Sequence, residues 1–254
     1  LFYNYHAQTN STLINNNNVA VNSDNITNEN GENPEIRIMP LGDSITKGSK
    51  STDDSGYRRK LYLDLIHMGQ NINFIGSKER GLPTDFDKDH EGHNSLCAES
   101  SNADLSLLAH VYEWLDNNVP DIILLHIGTN DVGSGENADK VIEDINAVLD
   151  EIDRWEENNS KVIKIFLAQI IMIVKEIETK GAIVEELNDK LVPLVENRNN
   201  SGDNIILVDI ESRLDYDNDM NDDGYHPNDS GYEKISNAWF NAIVNNFVSL
   251  DIKA

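Results

Sequence analysis

The sequence predicts an α/β fold, a three-layer α/β/α sandwich built around a doubly wound, parallel sheet of five strands. Short runs rich in Ile, Val and Leu alternate five times with longer amphipathic stretches, a pattern typical of parallel strands joined by helices. The short runs are apolar without strict alternation, as expected where helices cover both faces of a sheet. With 254 residues, 39% of them hydrophobic, the chain can bury one large core.

Each predicted strand is a short apolar run that ends at or just before a glycine or a polar residue. The five strands are Ile36–Leu41, Ile72–Gly76, Asp121–Ile127, Val162–Gln169 and Ile205–Ile210. The predicted helices are Tyr57–Met68, Ala103–Asn117, Ala138–Trp155, Ala182–Asn197 and Gly231–Phe247. In the third helix, apolar residues recur at helical spacing with acidic and basic residues between them.

Two regions of the chain differ in composition. Residues 1–33 are rich in Asn, Ser and Thr and show no apolar periodicity. We predict that they form an Asn-rich tail or linker, which could connect the chain to an upstream module. Residues 34–254 carry the alternating strand and helix pattern and are predicted to form one domain.

The charge of the chain limits its partners. The formal net charge is −25, from 20 Lys and Arg against 45 Asp and Glu. We therefore expect no nucleic acid as partner, because binding a phosphate backbone requires a basic surface. Anionic membranes and polyanionic substrates are disfavoured for the same reason, so a neutral substrate such as an ester or a sugar polymer fits better.

The cysteine content and the lengths of the apolar runs exclude an intramolecular disulfide and a membrane-spanning segment. Cys97 is the single cysteine, so the chain forms no intramolecular disulfide, and a structural role for Cys97 is favoured over catalysis. No apolar run approaches the roughly 18 residues of a membrane span.

A serine follows the first predicted strand directly, within Gly42-Asp43-Ser44-Ile45. Open α/β sheets bind their ligands at the carboxyl ends of the strands, so Ser44 is a candidate nucleophile. Taken alone, the motif would equally suit a serine that caps a turn. The segment does not match the Gly-x-Ser-x-Gly motif of α/β-hydrolases.

Two later segments supply the groups that a serine nucleophile needs. Asp223 precedes His226 by three residues, so on one short loop the carboxylate can hold one imidazole nitrogen while the other accepts the serine proton. Asn130 follows the strand Asp121–Ile127, and its amide could donate to a developing oxyanion. It lies too far before the next helix to be its cap. The set predicts acyl-transfer chemistry.

These motifs resemble those of the SGNH (GDSL) hydrolase superfamily and, more closely, of carbohydrate esterase family 3. The resemblance covers about residues 35–250 and rests on five segments: residues 37–46, 56–58, 89–93, 124–131 and 226–232. It implies an acetylxylan esterase, a serine esterase that needs no metal and removes acetyl groups from xylose units of a polysaccharide. We expect a secreted protein that requires no cofactor. The resemblance also implies that Ser44 is the nucleophile, His226 the base and Asp223 its partner. Asn130 and the backbone N–H of Ser44 would then be oxyanion donors.

One segment departs from the family pattern. The second block of the family usually reads Glu-Gly-His-x-Gly followed by an aromatic residue, and the second glycine donates its N–H to the oxyanion. Here the chain reads Glu91-Gly92-His93-Asn94-Ser95-Leu96, so Ser95 occupies the donor position. Its N–H can still serve, but a positive φ would strain Ser95. The apolar segment 170–174 is a second unusual feature beside an edge expected to bind sugars.

Other interpretations stay open. A catalytically impaired carbohydrate-binding relative would keep the fold, and a broader SGNH esterase would act on small acyl esters or lipids. Residues 219–224 match the first half of a calcium loop, and Asp215, Asp217 and Asp219 could form a looser structural calcium site. Five Asn-x-Ser/Thr tripeptides, beginning at Asn10, Asn25, Asn158, Asn199 and Asn228, support secretion only weakly in so Asn-rich a chain.

Overall fold

A computed structural model describes residues 34–246 and confirms the α/β/α architecture. Within this part of the chain the sheet has seven strands. In chain order they are β1 (Glu35–Gly42), β2 (Asn71–Phe74), β3 (Lys78–Glu79), β4 (Asp89–Gly92), β5 (Ile122–His126), β6 (Lys164–Ala168) and β7 (Ile205–Val208). The five predicted strands correspond to β1, β2, β5, β6 and β7. The predicted tail, residues 1–33, and the predicted end of the last helix at Phe247 lie outside the described residues.

Strand β1 lies at the centre of the sheet. One edge of β1 pairs in parallel with β5, followed outward by β6 and β7. Along the other edge, β2 pairs with the amino-terminal half of β1 and β4 with its last two residues. The antiparallel pair of β3 and β4 adds two strands to the predicted five. Both are short and rich in charged residues, so apolar patterning does not reveal them.

The helices cover both faces of the sheet. They are α1 (Ser44–Lys47), α2 (Arg58–His67), α3 (Leu107–Asn117), α4 (Thr129–Ser134), α5 (Ala138–Asn159), α6 (Ile177–Ser201) and α7 (Asp229–Asn246). All five predicted helices are present, and the prediction missed α1 and α4. Helix α3 begins later than predicted because Ala103–Leu105 is a separate 3-10 turn. Helix α6 begins before Gly181, which is buried within it and faces Ile177.

Alternate residues of the central strands pack into two separate core layers. Met39 and Leu41 of β1 face the layer formed with α3, α5 and α6. Ile36 and Ile38 face the other layer, which includes residues of α2 and α7 such as Trp239. This alternation is the period of two expected for a strand buried on both faces. Packing against both layers holds β1 in the middle of the sheet. Its carboxyl end therefore lies centrally among the carboxyl ends of the parallel strands.

The apolar segment after β6 belongs to the core. Ile170, Ile171 and Ile173 are fully buried, and Met172 is nearly so. Their apolar character therefore reflects packing between the layers, and the segment is no exposed surface beside a ligand. No helix in residues 34–246 combines the length and the apolar character needed to cross a membrane.

Candidate active site

The turn after β1 presents Ser44 at the edge of the sheet. Gly42 has a φ of +154°, and a Cβ there would lie 2.1 Å from the carbonyl oxygen of His126 on the neighbouring strand, so only glycine fits. The carboxylate of Asp43 caps helix α1 by accepting the backbone N–H of Ile45 at 2.8 Å. Ser44 is the first residue of α1, so its N–H has no acceptor within the helix.

The structure brings Ser44, His226 and Asp223 together in one chain of hydrogen bonds. Ser44 Oγ lies 2.8 Å from His226 Nε2, although the two residues are 182 positions apart in the sequence. His226 Nδ1 lies 2.9 Å from Asp223 Oδ2. This is the order of contacts in which a serine can be deprotonated by an imidazole that a carboxylate holds in place.

Asp223 is held as an anion by its neighbours. Its Oδ1 accepts the backbone N–H groups of Tyr225 and His226, each at 3.0 Å. Burial favours a higher pKa for Asp223, but these hydrogen bonds and the one to the His226 ring outweigh burial and lower its pKa. The carboxylate is therefore ionised at neutral pH, as required to orient the ring and stabilise an imidazolium.

Asn130 and Ser95 line the same cleft as Ser44 and His226, a cavity of about 320 Å³. The side-chain amide of Asn130 donates one hydrogen to the carbonyl oxygen of Leu96 at 2.9 Å. An amide has two hydrogens, so one remains for a ligand. Ser95 has a φ of +58°, the left-handed conformation that favours glycine. The bond to Leu96 thus ties Asn130 to the loop that carries Ser95.

Asp131 anchors the loop that carries Ser95, a role that the sequence did not reveal. Its carboxylate is almost fully buried and accepts the N–H of Ala98 on both oxygens, at 2.9 and 3.1 Å. Burial raises the pKa of Asp131 to about 7, although backbone hydrogen bonds, including that from Ala98, act against it. The sequence offered one indication, an acidic residue next to Asn130. It did not indicate the partner, Ala98, which lies 33 residues earlier.

Arg58 is a second positioning residue whose contacts the sequence did not reveal. Its side chain is fully buried, and burial lowers its pKa to about 10. The guanidinium donates at 3.0 to 3.4 Å to five backbone carbonyl oxygens, those of Thr46, Lys47, Asp54, Arg80 and Lys88. Two of these acceptors belong to α1, so Arg58 attaches the helix that begins at Ser44 to three neighbouring loops.

The thiol of Cys97 is unsuited to act as a nucleophile. Burial first, and then the nearby carboxylates with Asp131 foremost, raise the pKa of Cys97 to about 12. A thiolate is the reactive form of cysteine, and at neutral pH it is scarcely populated here. This agrees with the structural role expected for Cys97.

The candidate calcium loop is held by contacts within the protein. Asp219 accepts the backbone N–H of Asp215 at 2.7 Å and the hydroxyl of Ser230 at 2.8 Å, and it forms an ion pair with Lys234. Asp223 is engaged by His226. Across the described residues, no group of three or more His, Cys, Asp or Glu side chains is arranged to hold a metal ion.

The chain is similar to known hydrolases in sequence and in fold. Residues 38–239 match the family model of GDSL-like lipases and acylhydrolases. A multidomain esterase of Ruminococcus flavefaciens is 31% identical over 224 residues, which cover 82% of this chain and 28% of that protein. The chain thus spans less than a third of the length of this relative.

Solved structures give the same result. A family 3 carbohydrate esterase of Clostridium thermocellum is 28% identical, with a TM-score of 0.70 over 85% of this chain and 99% of that one. A family 3 carbohydrate esterase of Talaromyces cellulolyticus is 24% identical with the same TM-score, over 85% of this chain and 100% of that one. The second likeness concerns the fold alone.

Proposed function

Since the chain belongs to the family of GDSL-like lipases and acylhydrolases and is an esterase of that family, we propose that it removes acetyl groups from acetylated xylan or a related polysaccharide. The observation that carries this proposal is the hydrogen-bonded series Ser44–His226–Asp223 at the carboxyl end of β1. The first step is attack of Ser44 Oγ on the ester carbonyl, with transfer of the serine proton to His226 Nε2. Asp223 stabilises the imidazolium that forms.

His226 then returns the proton to the leaving sugar oxygen, and the acetyl group stays on Ser44. Water attacks this acyl-enzyme with His226 again as base. The bond between the acyl carbon and Ser44 Oγ then breaks, His226 returns the proton to Ser44 Oγ, and acetate leaves. Three donors would bind the negative oxygen: the N–H of Ser44, the N–H of Ser95 and the amide of Asn130. All three residues line one cleft, and preorganised donors of this kind supply a large share of the rate.

The cleft at Ser44 suits a short acyl group. Among the described residues that line it, Ile45 is the single one with a purely aliphatic side chain, and most of the others carry hydroxyl, amide or charged groups. A long acyl chain would gain little apolar burial there. The burial of residues 170–173 removes another candidate surface for lipid chains. These features support an acetyl ester over a lipid.

The polysaccharide substrate is proposed from charge and similarity. A net charge of −25 favours a neutral polymer over an anionic one. The Clostridium thermocellum structure, described as a family 3 carbohydrate esterase, covers 85% of this chain. An acetylated polysaccharide lies outside the cell, so the proposal includes a secreted protein.

Acetate release from acetylated xylan tests the proposal directly. We expect the wild type to release acetate in the presence of a chelator, and Ser44→Ala, with an unchanged circular dichroism spectrum, to release none. Release by both proteins would contradict the serine mechanism. If the wild type hydrolyses 4-nitrophenyl acetate but releases no acetate from xylan, its substrate is a different ester.

A series of 4-nitrophenyl esters with acyl chains of increasing length separates the proposal from the broader esterase interpretation. The proposal requires kcat/KM to be highest for the acetate and to fall with chain length. A maximum at longer chains would favour a lipid or small-ester substrate. Absence of turnover on every ester by a folded protein would favour the carbohydrate-binding relative.

A further inference from the structure

A second cleft, of about 610 Å³, adjoins the cleft at Ser44. The two cavities share three lining residues: Ser95, Asn130 and Tyr225. Ser95 and Asn130 are two of the three proposed oxyanion donors, so the ester carbonyl would sit at the boundary between the cavities. A substrate whose acetyl group reaches Ser44 can therefore extend its alcohol part into the second cleft.

The second cleft is lined by groups that can hydrogen-bond to hydroxyls. It presents the hydroxyl-bearing residues Ser95, Ser100, Ser101 and Ser134 and the carboxylates of Glu99 and Glu136. A sugar hydroxyl both donates and accepts hydrogen bonds, and serine, amide and carboxylate groups are its complements. Lys140 lies 3.6 Å from Glu99 and pairs also with Asp144, so it does not turn the cleft basic. This lining suits a neutral polyol and disfavours an anionic one.

Tyr225 forms the wall common to both clefts, and its position is fixed. Its hydroxyl donates to the carboxylate of Glu176, and Lys175 Nζ lies 5.9 Å from the centre of its ring. Tyr225 is also bonded through its N–H to Asp223. An aromatic ring so held offers a rigid apolar surface beside the polar groups, the combination found in small-molecule sites.

We propose that the second cleft binds the carbohydrate part of the substrate, a neutral glycosyl unit of the chain whose acetyl group is removed at Ser44. The inference rests on the proposed function and adds to it the place where the sugar is recognised. The cleft then distinguishes an acetylated oligosaccharide from a simple acetate ester, because only the former fills it.

Two serines provide a matched test. Ser134 is the last residue of α4, lies in the second cleft, and donates its hydroxyl to the carbonyl of Asp131 at 2.8 Å. Ser201 is the last residue of α6 and donates in the same way to Asn197 at 3.0 Å. Both are exposed. Ser134→Leu would fill the second cleft and remove a hydroxyl, whereas Ser201→Leu makes the same change outside it.

The measured quantity is the ratio of kcat/KM for a singly acetylated xylo-oligosaccharide to kcat/KM for 4-nitrophenyl acetate. We expect Ser134→Leu to lower this ratio about tenfold, the effect of a modest loss of binding energy, and Ser201→Leu to leave it at the wild-type value. Thermal unfolding verifies that each variant is folded. If Ser134→Leu does not fold, Ser101→Leu, in an exposed turn that lines the same cleft, takes its place.

An unchanged ratio in folded Ser134→Leu or its replacement would overturn the inference while leaving the esterase proposal intact. An equal fall in Ser201→Leu would overturn it as well, because the effect would then not come from the cleft. Absence of 4-nitrophenyl acetate turnover in the wild type would instead overturn the proposed function, and with it this inference.

Discussion

Ser95 occupies a backbone conformation that costs a non-glycine residue about 1–2 kcal/mol. Its φ of +58° lies in the left-handed region, and the family pattern that the chain resembles has a glycine at this position. A left-handed backbone is the conformation that glycine favours, so we expect the N–H of Ser95 to serve as the glycine N–H would. On this view we expect the departure from the family pattern to lower stability more than it affects the proposed oxyanion site.

Substitutions at Ser95 test this view. We expect Ser95→Gly to raise the free energy of unfolding by up to about 1 kcal/mol, because glycine adopts a positive φ without strain, and to retain kcat. Ser95→Val should lower both the free energy of unfolding and kcat, since a β-branched residue at positive φ is a genuine outlier. Urea unfolding and 4-nitrophenyl acetate turnover measure the two effects. A large gain of kcat in Ser95→Gly would show that the serine does impair the oxyanion site.

Asp223→Asn tests the contact that orients the base. The amide cannot hold the same imidazole tautomer or balance an imidazolium, so we expect kcat to fall by about 10³–10⁴ without loss of fold. Asp217→Asn is the matched control, because Asp217 is exposed in the same loop. Nearly full activity in the Asp223→Asn variant would show that Asp223 takes no part in the mechanism.

Asp131 predicts a pH dependence of stability. Burial raises its pKa to about 7 in the folded chain, against an ordinary value of 3.8. Between these values the folded state holds a proton that the unfolded state has lost, so this residue makes the free energy of unfolding fall as pH rises from about 4 to about 7. We expect Asp131→Asn, which cannot ionise, to reduce that fall.

The measurement is urea unfolding at several pH values between 4.5 and 7, a range set by the raised pKa of about 7. Asp189→Asn, at an exposed site on α6, serves as control and should follow the wild type. Parallel curves for the wild type and Asp131→Asn would contradict the prediction.

At the residue scale, sequence reasoning could identify Ser44, His226 and Asp223 because each follows a strand or lies in a short polar loop. It could not identify Arg58 or Asp131 as positioning residues. Their partners are backbone groups far away in the sequence, and a backbone carbonyl or N–H leaves no trace in residue type. Such contacts become visible only when the loops are placed in space.

At the element scale, the long helices and the five buried strands followed from apolar periodicity, which reports the burial of faces. The elements that it missed are the short ones. Helices α1 and α4 have four and six residues, too few to show a helical period, and β3 and β4 carry charged side chains. The missed helices are those that present Ser44 and Asn130, so the site is built mainly from elements without a periodic signal.

The loop between β7 and α7 gives a prediction about calcium. Since Asp219 is paired with Lys234 and bonded to Asp215 and Ser230, its carboxylate is already stabilised. We expect neither calcium nor a chelator to shift Tm. Lys234→Met, by contrast, should lower Tm because it leaves Asp219 buried without its cation. A calcium-dependent rise of Tm in the wild type would instead support a site at Asp215, Asp217 and Asp219.

At the scale of the whole molecule, the net charge of −25 predicts how rates respond to salt. A uniform negative field slows the approach of anions and leaves neutral molecules unaffected. We expect kcat/KM for an acetate ester that carries a carboxylate to rise between low and physiological ionic strength, where the Debye length shortens to about 8 Å. For 4-nitrophenyl acetate it should stay constant. An equal response of both substrates would show that charge does not select among them.

The separation of Ser44 and His226 by 182 positions has a consequence for the life of the chain in the cell. The proposed nucleophile emerges early in synthesis, while its proposed base arrives just ahead of α7, after the seven strands of residues 34–246 have been made. A ribosome-bound or clipped product therefore exposes only an ordinary serine hydroxyl, which is inert toward esters at neutral pH. Under the proposed mechanism, turnover therefore begins only after the loop that carries His226 has folded against Ser44.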